Sequence, residues 1–142
     1  MLVSDILKTK GSEVISTTPQ ATVAEAVRQL ADKRIGSVLV MNGDTIAGIL
    51  SERDIVHALA DIGGDCLNRS VGDLMTSTVV TCRPNQTIAD VMEKMTTGRF
   101  RHVPVVNNGQ VIGMISIGDV VKYRLAEAQD EVAHLAAYVA GS

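Results

Sequence analysis

Aromatic side chains are nearly missing from this sequence, with one Phe, two Tyr and no Trp among 142 residues. A surface that holds single-stranded nucleic acid by base stacking needs several aromatic faces, and three scattered rings do not supply one. An excess of positive charge is missing too. Thirteen Lys and Arg stand against 16 Asp and Glu, a net charge of −3, which argues against a general binder of phosphate backbones. Cysteine is limited to Cys66 and Cys82, without metal-ligand spacing or a neighbouring His cluster. Neither a disulfide framework nor a metal site is indicated. No run approaches the ~20 apolar residues of a membrane helix. Asp5, Lys8 and Lys10 interrupt the N-terminal stretch, which is therefore no signal peptide. A cytoplasmic location is the expectation. What the chain does contain is aliphatic: 46% of it is hydrophobic and only 20% is charged. Disorder is excluded, and the core must be built almost without rings.

The chain repeats itself. Sliding it by 65 positions lays residues 14–59 on 79–124 without a gap, and twelve of the 46 pairs are identical, among them Pro19/Pro84, Gly48/Gly113, Ser51/Ser116 and Asp54/Asp119. A shorter upstream piece, Val3-Ser4-Asp5-Ile6-Leu7, repeats as Val71-Gly72-Asp73-Leu74-Met75 at an offset of 68. The first copy thus carries three extra residues around Lys10 to Ser12. Each copy reads β-α-β-β-α. A short β segment (residues 14–16; 79–81) leads to a proline. Thr22-Val23-Ala24-Glu25 and Thr87-Ile88-Ala89-Asp90 look like capping boxes that open helices. Apolar strands follow at 37–41 and 102–106, then the turn residues Asn42-Gly43-Asp44 and Asn107-Asn108-Gly109. Returning strands at 46–50 and 111–115 run straight into second helices.

The expected fold is α/β: duplicated β-α-β-β-α units packed about a pseudo-twofold axis, with a C-terminal helix. Residues 1–67 would form the first repeat with an N-terminal segment, 68–125 the second, and 126–142 a helical extension. A unit of this size is marginal alone, so the two would pack together and leave clefts suited to a ligand.

The chemistry concentrates where each returning strand becomes a helix, at Gly48-Ile49-Leu50-Ser51-Glu52-Arg53-Asp54 and Gly113-Met114-Ile115-Ser116-Ile117-Gly118-Asp119. A helix N-terminus offers unpaired N–H groups and a positive dipole end to a phosphate. A serine there can donate to the same phosphate. An aspartate three residues on can accept both hydroxyls of a ribose, and Arg53 adds a fork-shaped cation. Ser-x-x-Asp is equally an imperfect capping box that needs no ligand. A serine can cap an empty site and still serve a filled one.

These tandem units, each closed by Gly-hydrophobic-hydrophobic-Ser-x-x-Asp, resemble a pair of cystathionine-β-synthase (CBS) domains, the Bateman module, over roughly residues 5–125. The chain looks like a stand-alone CBS protein of bacterial type. The resemblance implies adenosine-containing ligands bound between the repeats: AMP first, with ADP, ATP, NAD(H) or S-adenosylmethionine as further possibilities. It implies regulation without catalysis, a homodimer and an unidentified protein target. By the same resemblance Asp54 and Asp119 take ribose, with Ser51 and Ser116 beside them. Ile35-Gly36-Ser37 and Phe100-Arg101-His102 flank the nucleotide at the start of each central strand. The stretches around Val14 and Val79 lie against adenine.

The copies differ. Arg53 is replaced by Gly118 in the second, and Gly36-Ser37 become Arg101-His102. In the family's geometry Arg53, Arg101 and His102 would converge near Asp54 and leave the Asp119 cleft short of cations. The Asp54 cleft would then prefer the more phosphorylated ligand. Arg34 and Arg99 read as helix ends, and His57 and His134 have no catalytic or metal partner at a telling spacing. Val121, Leu125, Ala128, Val132, Leu135 and Val139 alternate four and three apart, the seam of a coiled-coil-like helix that would either join two copies or pack back on its own domain. A nucleotide-processing enzyme and a ligand-free dimerisation module are the alternative functions. The first lacks a general base or metal cluster beyond the two aspartates.

Overall fold

A computed structural model describes residues 1–141. In chain order its elements are α1 (Val3–Lys10), β1 (Ser16–Thr17), α2 (Val23–Lys33), β2 (Ser37–Asn42), β3 (Thr45–Ser51), α3 (Glu52–Ile62), a 3-10 segment (Gly63–Asn68), α4 (Val71–Leu74), α5 (Ile88–Gly98), β4 (His102–Asn107), β5 (Gln110–Ser116) and α6 (Ile117–Gly141). The fold is α/β, with two small sheets and a C-terminal helix. The order β1-β2-β3 makes one sheet and β4-β5 the other.

The duplicated pattern produces duplicated local structure. At the start of α2 the Thr22 hydroxyl accepts from the Glu25 amide, and the Glu25 carboxylate accepts from the Thr22 amide, both at 3.2 Å. At α5 only the Thr87 half of the box forms, with Thr87 Oγ1 accepting from the Asp90 amide at 3.1 Å. Each helix buries one stripe, Val23, Ala26 and Leu30 in α2 and Ile88, Val91 and Met95 in α5. Burying a side chain of this size contributes roughly 1.5–3 kcal/mol. Both helices end on an arginine in the left-handed region, Arg34 at φ 54° and Arg99 at φ 57°. The hairpins turn on Gly43 (φ 63°) and on Asn108-Gly109 (φ 53° and 77°), the conformations that two-residue loops demand.

The first strand of each copy is weaker than expected. In the first copy it covers Ser16–Thr17 and pairs in parallel with Leu39 and Val40. In the second it shrinks to a single bridge between Cys82 and Val105. The cause is Pro104. Its counterpart Leu39 donates its amide to the Ile15 carbonyl at 3.2 Å, whereas proline has no N–H to give.

The compact units of the fold do not coincide with the sequence repeats. One compact unit is residues 14–80; the other joins 1–13 to 81–142. The segments upstream of each copy are exchanged. Val71 of α4 is buried with Val23, Val38, Val40 and Leu50 of the first copy. Val3 and Ile6 of α1 are buried with Ile88, Val103, Val105 and Ile115 of the second. Equivalent backbone bonds fix both placements. Val71 donates to Ala21 and Gly72 to Pro19, at 2.8 and 2.9 Å; Val3 donates to Gln86 and Ser4 to Pro84, both at 2.9 Å. Helix α6 runs unbroken from the second Ser-x-x-Asp to Gly141.

Candidate functional site

The strand registers assemble each candidate site. In the first copy Ser37, the opening residue of β2, pairs with Ser51, the closing residue of β3. In the second, His102 pairs with Ser116 in the same way. The helix that follows is tied to the strand opening of its own copy. The Glu52 amide donates to Gly36 O at 3.0 Å, and the Ile117 amide to Arg101 O at 2.8 Å. Gly36-Ser37 and Ser51–Asp54 therefore form one constellation, and Arg101-His102 with Ser116–Asp119 another.

Within each constellation the aspartate caps its own helix. Asp54 Oδ2 accepts from the Ser51 amide at 2.9 Å and from Ser51 Oγ at 3.1 Å. Asp119 Oδ2 accepts from the Ser116 amide and hydroxyl, both at 3.0 Å. The capping box read from the sequence is thus formed in both copies. Ser37 adds a feature that capping does not explain. It is 6% exposed, and its hydroxyl has no hydrogen-bond partner among the described residues. An unsatisfied buried hydroxyl costs about 1–3 kcal/mol.

The remaining ligands of the two carboxylates differ, and sequence reasoning named neither. Asp54 Oδ1 accepts from Thr76 Oγ1 at 3.1 Å. Thr76 is held there by a bridge to Ile49, with N–H···O bonds of 2.9 Å in both directions. Asp119 instead meets Lys10, whose Nζ lies 2.6 Å from Oδ2 and 2.8 Å from the carbonyl of Met114, the counterpart of Ile49. One ammonium thus replaces both a backbone amide and a hydroxyl. Burial alone would raise the Asp119 carboxyl. The Lys10 hydrogen bond, the Ser116 amide, the Lys10 charge and the Ser116 hydroxyl outweigh it and hold the group below the ordinary aspartate value. The expectation that the Asp119 site lacks a cation is corrected: the lysine comes from α1, in the stretch where the first copy carries three extra residues.

The other candidates fall as follows. Ile35 and Phe100 are half-buried against the cores of their units. Arg53 is exposed on the first turn of α3, and Arg101 is exposed at the start of β4. Val14 and Val79 are half-buried, but Val79 falls in the unit of residues 14–80 and not with Ser116 and Asp119. A polar groove lined by Ser4, Arg83, Gln86, Asp90 and Lys94 contains none of the candidate residues. Lys94 is already committed there to Thr81 O and Gln86 Oε1. No cluster of metal-binding side chains occurs among the described residues. No helix among them is long and apolar enough to cross a membrane.

Known proteins share this fold. The CBS domain family profile matches residues 3–61 and 71–126. A mitochondrial CBS domain-containing protein of Arabidopsis thaliana is 33% identical over 98% of this chain and 72% of its own length. A crystal structure of a CBS-domain-containing protein from Agrobacterium tumefaciens shares 46% identity, covering 87% of this chain and 99% of that one, with a TM-score of 0.85. A CBS domain protein from Pyrobaculum aerophilum, complexed with AMP, shares 29% identity over 84% of this chain and 89% of that one, with a TM-score of 0.74. The chain belongs to the CBS-domain family and carries two copies of the domain.

Proposed function

We propose that this chain is a regulatory module without catalytic activity, which binds an adenosine-containing ligand at its two Ser-x-x-Asp helix starts. AMP is the first ligand of choice; ADP, ATP, NAD(H) and S-adenosylmethionine share the same adenosine. In this reading Asp54 and Asp119 accept the ribose hydroxyls. Ser51 and Ser116 receive phosphate at the positive ends of α3 and α6, with Arg53 adding charge. Ser37 and His102 flank the ligand, and Val14 lies against the base of the first-copy ligand. The carrying observation is the Ser37 hydroxyl, buried without a partner on the strand residue that pairs with Ser51. A ligand that supplies its partner removes a standing cost. The AMP complex of the Pyrobaculum relative supports the same ligand class.

The output is a change in how a partner protein is bound. It is limited by the ligand's differential affinity for the module's two arrangements. A homodimer is part of the proposal, because Val121, Leu125, Val132, Leu135 and Val139 leave one stripe of α6 exposed. A thermal-shift panel of the five ligand types tests the function. A ligand at one hundred times its Kd stabilises by about 2.7 kcal/mol, a rise of roughly 8 °C for a chain of this size. The Asp54→Asn, Asp119→Asn double variant should lose the rise. No shift with any of the five overturns the proposal in favour of a ligand-free dimerisation module, and steady turnover of a nucleotide overturns it in favour of an enzyme.

A further inference from the structure

The two copies present the same carboxylate to different neighbours, and this sets the order in which they fill. We infer that Lys10 is a latch on Asp119, a built-in competitor that makes the second-copy site the weaker one. The inference rests on the proposed ribose role of the aspartates.

At Asp54 the added donor is the Thr76 hydroxyl, neutral and able to turn about one bond. A ribose hydroxyl that takes its place exchanges one O–H donor for another. At Asp119 the competitor is an ammonium 2.6 Å from Oδ2, the oxygen that also accepts both Ser116 bonds. A diol that donates to both carboxylate oxygens competes with that ion pair and, by moving Lys10, also uncaps the Met114 carbonyl. The Thr76 bond is charged only at its acceptor, whereas the Lys10 bond is charged on both sides and is the stronger of the two, so ligand entry costs more at Asp119. The pair is still displaceable, since Lys10 is 38% and Asp119 24% exposed, and surface ion pairs of this kind are weak.

Lys10 is the last residue of α1, directly before Gly11 at φ 95°. Occupancy of the second site therefore acts on the end of α1, whereas occupancy of the first leaves it alone. The copies are thus a graded pair: Asp54 fills first, and Asp119 reports when ligand is abundant.

Calorimetric titration with AMP tests this in two backgrounds that isolate the sites. With Asp54→Asn, only the Asp119 site remains, and adding Lys10→Met should tighten AMP binding by about fivefold; Lys10→Arg should restore the weak affinity. With Asp119→Asn, only the Asp54 site remains, and Lys10→Met should leave the Kd unchanged, which a merely structural role for Lys10 would not. Unchanged or weaker AMP binding at the Asp119 site of the Lys10→Met protein overturns the latch while leaving the ligand class standing. Binding by Asp54→Asn as tight as by Asp119→Asn overturns it as well. A wild-type chain that binds none of the five ligand types overturns the proposed function, and the latch with it.

Discussion

Gly48 and Gly113 occupy the same position in the two copies, yet replacing them with alanine should have unequal effects. A Cβ on Gly48 would lie 2.6 Å from the Thr76 carbonyl oxygen and 2.7 Å from Met75 Sδ. That oxygen belongs to the backbone bridge between Ile49 and Thr76, whose two bonds are both 2.9 Å. Relief requires the bridge to part or the strand to bend. Overpacking of this kind costs about 1–3 kcal/mol, and each bridge bond lost adds about 1 kcal/mol. A Cβ on Gly113 would lie 2.5 Å from Leu7 Cδ2 and 3.2 Å from Cδ1. Those atoms are the tip of a flexible side chain that can turn aside, at a cost of about 1 kcal/mol or less. The entropy that alanine removes from the unfolded chain is common to both variants, so it cancels in the difference. Gly48→Ala should therefore be less stable than Gly113→Ala by about 2 kcal/mol. With an m-value of about 2 kcal/mol/M, that is a separation of about 1 M in the urea midpoint, read by circular dichroism. Equal midpoints, or a lower one for Gly113→Ala, would refute the distinction between backbone and side-chain obstruction.

Three further outcomes are expected. The folded Asp119 carboxyl is held below its ordinary value, so its stabilising effect is present above about pH 4 and is lost as the pH falls through the folded value. Lys10→Met should flatten that part of the acid limb of stability against pH by about 1 kcal/mol or less; an identical limb would show that Lys10 does not hold the carboxylate. Burial pushes the Cys82 thiol up to about 11, against the lowering pull of Lys94, and both cysteines are buried. A disulfide reagent at pH 8 should label neither until urea unfolds the chain, and rapid labelling in native buffer would contradict that burial. Truncation after Arg124 removes most of the exposed seam of α6 and should leave a monomer by light scattering where the full chain gives the proposed dimer; a dimer in both would locate the contact elsewhere.

The parts of the fold legible in the sequence were those written locally. Thr22 and Thr87 announced helix starts, Gly43 and Asn108-Gly109 announced hairpins, and the offset of 65 tied the two sets together. The pairing of Ser37 with Ser51 follows from that hairpin register. The exchange of α1 and α4 was not legible for a reason of symmetry. Val3 and Ile6 fit the pattern of Val71 and Leu74, so the offset of 68 shows that the segments are equivalent without showing which core each enters. Pro104 could have been read as shortening the second copy's first strand, because its missing N–H is visible in the sequence. The Lys10–Asp119 pair joins residues 109 apart, and its only trace was the three-residue excess beside Lys10. The seam in α6 was legible as spacing, but spacing does not say whether an apolar stripe folds back; in the structure Leu125, Val132, Leu135 and Val139 are all more than half exposed.

The exchanged upstream segments also set the order in which the chain can fold as it is made. Residues 14–80 form a unit built from one continuous stretch of chain, so it can close while the rest is still being synthesised at about 5–20 residues per second. The other unit needs residues 1–13 as well as 81–142. Its first strand of backbone bonds, from Val3 and Ser4 to Gln86 and Pro84, must wait for a segment that appears some 80 residues later. Until then the apolar face of α1, with Val3 and Ile6, has no core to enter. The nascent chain passes through a state with one finished half and one exposed helix, and slow translation across residues 81–116 would lengthen the time it spends there.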